Sequence, residues 1–144
     1  MKRAQYAGRD FRRAVNIEDL RRMARRRLPN FSFEYVEGGA EDELALRRNR
    51  DVFERIAWVP RTLASVGTPD LATEILGDSC HLPLVIAPTG FNGLLWPQGD
   101  LALARAAADA GIPFTLSTVS NYPVAKLTAE VPGRTWFQLY PMKE

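Results

Sequence analysis

The feature that most limits what this chain can fold into is Leu82-Pro83-Leu84-Val85-Ile86-Ala87-Pro88-Thr89-Gly90, an apolar run without alternation that stops at a proline. With the β-branched pair Val85 and Ile86 at its centre, such a run predicts a strand buried on both faces, as in parallel sheets. Pro88 lacks an N–H and ends it, Thr89 adds a hydroxyl, and Gly90 lets a ligand approach the backbone closely. A turn-rich loop from Phe91 to Gly99 leads to a helix beginning near Asp100. That order puts a polar break at the strand's carboxyl end, where α/β folds carry their ligands.

The same cadence continues downstream. Leu101, Leu103 and the alanines 102, 104, 106, 107, 108 and 110 predict a helix with small side chains suited to close packing on a sheet, capped by Gly111. Pro113 to Thr118 predicts a second strand ending in hydroxyls. Pro123 opens a helix that turns Val124, Leu127 and Val131 inward until Pro132-Gly133, and Arg134 to Tyr140 predicts a third strand. Polar groups therefore recur at strand ends: Thr89, Ser117, Gln138 and Tyr140. Any one of them is what a chain needs where it becomes soluble, whereas four at matching places suggest a site. No Walker loop, no dinucleotide-type glycine fingerprint and no Cys/His spacing for a metal is present. A flat aromatic ligand held by backbone amides, hydroxyls and a carboxamide fits what remains.

Upstream of the run the pattern is helical. Asn16 is a cap with Asp19 three residues on, and Ile17, Leu20, Met23, Ala24 and Leu28 recur at helical spacing up to Pro29. Asn30 is expected to cap a shorter helix carrying Phe31, Phe33, Tyr35 and Val36, ended by Gly38-Gly39. A third helix is expected from Asp42 to Ile56, with Leu44, Leu46, Val52, Phe53 and Ile56 inward, and Thr73 to Leu76 reads as a short strand ended by Gly77-Asp78.

Charge is uneven along the chain. Residues 1–27 hold ten Lys and Arg against three acids, a net +7, so the rest of a chain of net +2 carries −5. The arm reads as a solvated tail entering a helix with an Arg-rich outer face, capable of weak, salt-sensitive contact with anionic lipid. Nucleic acid is not expected as a partner, because no binding motif follows the arm. A content of 46% hydrophobic residues over 144 positions bounds the answer to one modest core. The single cysteine excludes an internal disulfide, and Cys80-His81 offers too few ligands for structural zinc. No apolar run reaches the roughly 18 residues of a membrane span, so the expected compartment is cytoplasmic.

Leu28-Pro29, Phe33-Glu34-Tyr35, Gly38 to Glu43, Asn49-Arg50, Pro83 to Gly90, Gly99-Asp100, Leu116-Ser117-Thr118 and Trp136 to Tyr140 together resemble the FMN-dependent α-hydroxy-acid dehydrogenase and oxidase family. The wording around Gly90-Phe91-Asn92-Gly93 and Trp96-Pro97 is most similar to its mandelate-oxidising branch. The resemblance implies an α/β fold: an N-terminal helical segment followed by the first three β units of a (β/α)8 TIM barrel, a truncated barrel. It divides the chain into a basic flexible arm (1–15), a helical cap segment (16–81) and the first three strands and two helices of an FMN-binding barrel (82–144).

Carried over by position, Pro88, Thr89, Gly90, Ser117 and Gln138 would contact FMN, and Tyr35 and Tyr140 would bind the carboxylate and hydroxyl region of the substrate. Val119, just past the second strand, is smaller than the aromatic that some small-acid relatives carry there. The family's lysine, catalytic histidine, paired arginines and phosphate site match no residue here, and His81 precedes the first barrel strand. The chain is thus expected to be an N-terminal fragment of an enzyme oxidising a mandelate- or lactate-like 2-hydroxy acid, inactive alone. Its full-length relative is expected to be a homo-oligomer, cytoplasmic or peripheral at the inner membrane, with an electron acceptor the residues do not specify. The competing expectation is a catalytically incompetent fragment that acts by packing on a partner.

Overall fold

The computed structural model describes residue 8 and residues 10–63 and 67–143. Most of the expected flexible arm lies outside them, and a 3-10 turn at Phe11–Arg13 opens the continuous part, with the Asp10 carboxylate accepting from the Arg12 N–H at 3.0 Å. The chain divides into two compact units, Met1–Leu63 and Ala64–Glu144.

The first unit is helical: α1 (Ile17–Arg27), α2 (Asn30–Glu37) and α3 (Leu44–Glu54). Asn16 caps α1 as its spacing predicts, its Oδ1 accepting from the Asp19 N–H at 2.8 Å. The buried Asp19 carboxylate answers by accepting from the Val15 N–H at 3.0 Å and pairing with Arg22. This reciprocal cap satisfies donors that a helix start otherwise leaves open. Part of the Arg-rich face is spent on the next helix rather than on solvent. Arg21 bridges Glu18 at 3.0 Å and Glu37, and Arg25 reaches Glu34 at 2.6 Å while lying 4.7 Å above the Phe33 ring. The Arg21 hydrogen bond holds the Glu37 carboxyl below its ordinary range and raises the guanidinium correspondingly.

Two expectations for this unit are corrected. Asn30 is the first helical residue of α2 and not its cap; Pro29 occupies the cap position, without a side-chain bond, because its ring presets the entry dihedral. The third helix is two residues shorter at each end than expected, and none of its side chains is buried. Leu44, Leu46, Val52, Phe53 and Ile56 stay exposed because the close helix packing inside this unit is between α1 and α2.

The second unit contains β1 (Thr73–Ile75), β2 (Asp78–Cys80), α4 (Gly99–Ala110), β3 (Phe114–Ser117), α5 (Val124–Glu130) and β4 (Thr135–Gln138). The single strand expected at Thr73 to Leu76 is half of an antiparallel hairpin. Leu76 and Gly77, both at positive φ (52° and 82°), form its two-residue turn, and Asp78 begins the return strand. The hairpin is fixed to the α/β part by an Arg134–Asp78 ion pair and by the His81 N–H, which donates to the Gly111 carbonyl at 3.0 Å.

Strands β3 and β4 pair in parallel, with Phe114 opposite Thr135 and Ser117 opposite Gln138. Helix α4 packs its small face on β3, so that Leu101, Ala104, Ala107, Phe114, Leu116, Leu127 and Val131 form one buried cluster. Gly111 ends α4 in the left-handed conformation (φ 64°), its N–H returning to the carbonyl of Ala107.

The Leu82–Gly90 run differs from its expectation. It lies alongside β3, with the Ile86 N–H donating to Pro113 and the Ile86 carbonyl accepting from Thr115, both at 3.0 Å. Only Ile86 forms a bridge, and Leu84 is 57% exposed. The run is therefore an extended edge segment, half-covered by the core through Ile86, because within this unit it has packing partners on one face only.

Candidate functional site

The parallel register sets the geometry of the strand ends. Ser117, nearly inaccessible at the end of β3, faces Gln138 at the end of β4. The Ser117 hydroxyl donates to Gln138 Oε1 at 3.2 Å, and the same oxygen accepts from the Thr118 N–H at 3.3 Å. With Oε1 engaged twice, the Gln138 Nε2 group keeps two donors without partners among the described residues. The Thr118 hydroxyl donates to the Gln138 carbonyl and accepts from the Tyr140 N–H at 3.0 Å, so the chain beyond β4 is held against the end of β3. The Tyr140 ring is half-exposed.

Because Ile86 bridges β3, Pro88, Thr89 and Gly90 reach the same end of the sheet. Pro88 and Thr89 are exposed, Gly90 is half-buried, and the Phe91 N–H donates to the Val119 carbonyl at 3.1 Å, tying the loop after the run to the loop after β3. The Gly93 N–H adds a second tie, to Asn121 Oδ1 at 3.2 Å. An open groove of about 270 Å³ lies beside these loops, lined by Ser117, Thr118, Ser120, Asn121, Tyr122 and Phe137 among others. Desolvation, reinforced by the hydrogen bond to Glu130, pushes the Tyr122 phenol above its ordinary value and keeps it a neutral donor.

Of the residues singled out from the sequence, the structure thus joins Ser117 to Gln138 by a direct hydrogen bond and ties the Tyr140 backbone to Gln138 through the Thr118 hydroxyl. It brings Pro88, Thr89 and Gly90 to the same end of the sheet. Tyr35 stands on the last turn of α2, half-exposed, in the other unit. Sequence reasoning missed Asn92, Asp100 and Ser120. The Asn92 amide donates to the Thr89 carbonyl at 3.1 Å and to Asp100 Oδ1 at 2.7 Å, while the Ser120 hydroxyl donates to Asp100 Oδ2 at 2.7 Å. The only signal for them is Gly99: a Cβ there would stand 2.8 Å from the Asn92 carbonyl oxygen, so α4 can start beneath this loop only with glycine. Among the described residues no three His, Cys, Asp or Glu side chains gather as metal ligands.

A strand-end surface of hydroxyls, a carboxamide with free donors and exposed backbone suits the polar edge of a planar heterocycle. Residues 24–144 match the family described as FMN-dependent dehydrogenase. The chain is 51% identical over 125 residues to (S)-mandelate dehydrogenase of Pseudomonas putida, covering 87% of this chain and 32% of that protein. It is 48% identical over 132 residues to a putative L-lactate dehydrogenase of Mycobacterium tuberculosis, covering 91% and 32%. Among solved structures, a soluble mutant of the membrane-associated (S)-mandelate dehydrogenase from Pseudomonas putida superposes with a TM-score of 0.81 at 52% identity, over 87% of this chain and 36% of that one. The chain spans about a third of the length of the curated relatives it matches. It belongs to the FMN-dependent dehydrogenase family.

Proposed function

We propose that this chain contributes the flavin-contacting first part of a (β/α)8 barrel that oxidises a 2-hydroxy acid to the 2-oxo acid. In this reading residues 16–81 form a cap segment, helical through α3 and ending in the β1–β2 hairpin, and residues 82–144 the first three β units. The observation that carries it is the Ser117–Gln138 pair at the carboxyl ends of two parallel strands, in a chain of this family. FMN, when bound, supplies the two-electron acceptor for the oxidation. Gln138 offers its free amide donors, and Ser117 fixes their direction by holding Oε1. Pro88, Thr89 and Gly90 present exposed backbone and a hydroxyl to the ring. Tyr140 and Tyr35 hold the carboxylate and hydroxyl region of the substrate, because a phenol donates a hydrogen bond without adding charge.

Relatives named for mandelate and for lactate support a mandelate- or lactate-like 2-hydroxy acid as the substrate class. Val119, with its modest side chain beside the strand-end loops, favours the larger, phenyl-bearing acid. No helix among the described residues is long and apolar enough to cross a membrane. A homo-oligomeric full-length protein belongs to the same reading. A second reading, a non-catalytic fragment that packs on a partner, is favoured by Leu84, Phe137 and Leu139, which are exposed along and beyond the strands.

The test is to graft residues 24–144 into the Pseudomonas putida (S)-mandelate dehydrogenase in place of its matching segment, then measure retained flavin. The flavin reading predicts stoichiometric FMN. A graft that folds and stays colourless overturns it and leaves the packing reading.

A further inference from the structure

One buried charge has no part in the flavin reading: Asp100, in the first turn of α4, with its side chain 2% exposed. Burying a carboxylate is costly unless donors meet it, and here donors meet both oxygens. Oδ1 takes the Asn92 amide at 2.7 Å, and the same amide group holds the Thr89 carbonyl at 3.1 Å. Oδ2 takes the Ser120 hydroxyl at 2.7 Å. With its one proton directed to Asp100, the Ser120 oxygen accepts from the Tyr122 N–H at 2.9 Å, and the Ser120 N–H closes a turn on the Ser117 carbonyl at 3.1 Å. Ser117 in turn holds Gln138. An unbroken hydrogen-bonded path therefore runs from Thr89 through Asp100 to Gln138, across the ends of the run, β3 and β4.

We propose that Asp100 is a positioning residue, which fixes Thr89, Ser117 and Gln138 relative to one another by locking the loop after the Leu82–Gly90 run to the loop after β3. The proposal rests on the flavin reading only for what these three residues hold. An acceptor-only side chain suits the site, because the Asn92 amide arrives as a donor and the Ser120 hydroxyl, which also lies 3.2 Å from the Tyr122 carbonyl, meets Asp100 at the shorter 2.7 Å. Asparagine in the same place would turn its own amide donor onto one of them. The loops also share the Phe91–Val119 and Gly93–Asn121 bonds, so weakening Asp100 loosens the rim without dissolving the fold.

The experiment is peptide-level amide hydrogen exchange on the 144-residue chain without flavin, comparing the parent with Asp100→Asn, Ser120→Ala and Ser120→Thr. Asp100→Asn is expected to speed exchange about tenfold in peptides covering 91–97 and 117–122 and at Tyr140, the change for one lost hydrogen bond to a charged group. Peptides covering 103–110 keep their parent rates. Ser120→Ala is expected to speed 117–122, and Ser120→Thr, which restores the hydroxyl, to return it to the parent rate. Equal acceleration across 103–110, an unmoved rim in Asp100→Asn, or no recovery in Ser120→Thr each overturns the proposal. With no flavin present, such a result leaves the flavin reading standing; a colourless graft with a normally protected rim does the reverse.

Discussion

At the scale of single residues, Gly111 and Gln138 illustrate two kinds of constraint. Gly111 combines a left-handed backbone with a position where a Cβ would run into the His81 ring. Gly111→Ala is predicted to lower unfolding stability by about 1–3 kcal/mol, the scale of overpacking with a left-handed penalty added, measured by urea titration of the chain. Gln138→Ala removes the carboxamide that faces Ser117, and in the grafted enzyme it should weaken FMN binding about tenfold, the equivalent of one hydrogen bond of about 1.4 kcal/mol. Unchanged FMN affinity would remove Gln138 from the site. Ser117 and Gln138 were legible in the sequence because a polar residue at the end of an apolar strand stands out from its neighbours. Asn92, Asp100 and Ser120 were not, because turn- and cap-forming residue types occur at turns and helix starts whether or not they are buried. Their mutual contacts depend on two loops meeting, which no local pattern records.

At the scale of elements, α4 was readable from its alanines and its terminal glycine, since intrinsic propensity and capping suffice to define it. The Leu82–Gly90 run was readable as extended apolar chain, while its coverage was not, since burial depends on what packs on each face. The same distinction separates α3, whose apolar side is real and exposed, from α1, whose start is fixed locally by Asn16 and Asp19. The α1–α2 pair carries a pH signature. Glu37's carboxyl is held below its ordinary value by Arg21, so the contribution of the pair is present above that unfolded value of 4.5 and is lost as pH falls through the lower folded value. The pair is largely solvent-exposed and the effect is correspondingly small. Denaturation midpoints measured at pH 7 and pH 3 should differ less in Glu37→Gln than in the parent; an identical difference would show that Arg21–Glu37 does not link the helices.

At the scale of the whole molecule, β4 is bonded to β3 alone among the described strands, and Phe137, Leu139 and Leu84 leave apolar surface in water. An unpaired parallel edge of this kind templates association. The chain alone is expected to self-associate with rising concentration, and Leu139→Lys to suppress this in light scattering; association unaffected by that change would place the contact elsewhere. The chain alone is also expected to show no turnover, because its one histidine, His81, lies beside Gly111, ahead of β3 and away from the carboxyl ends of β3 and β4. The central claim, that these residues form the flavin-facing part of a 2-hydroxy-acid oxidising enzyme, is tested most directly by anaerobic flavin bleaching in the graft. Mixed with (S)-mandelate, the graft should lose its oxidised flavin absorbance, and lose it faster than with L-lactate. Bound flavin that stays oxidised with both acids would contradict the account.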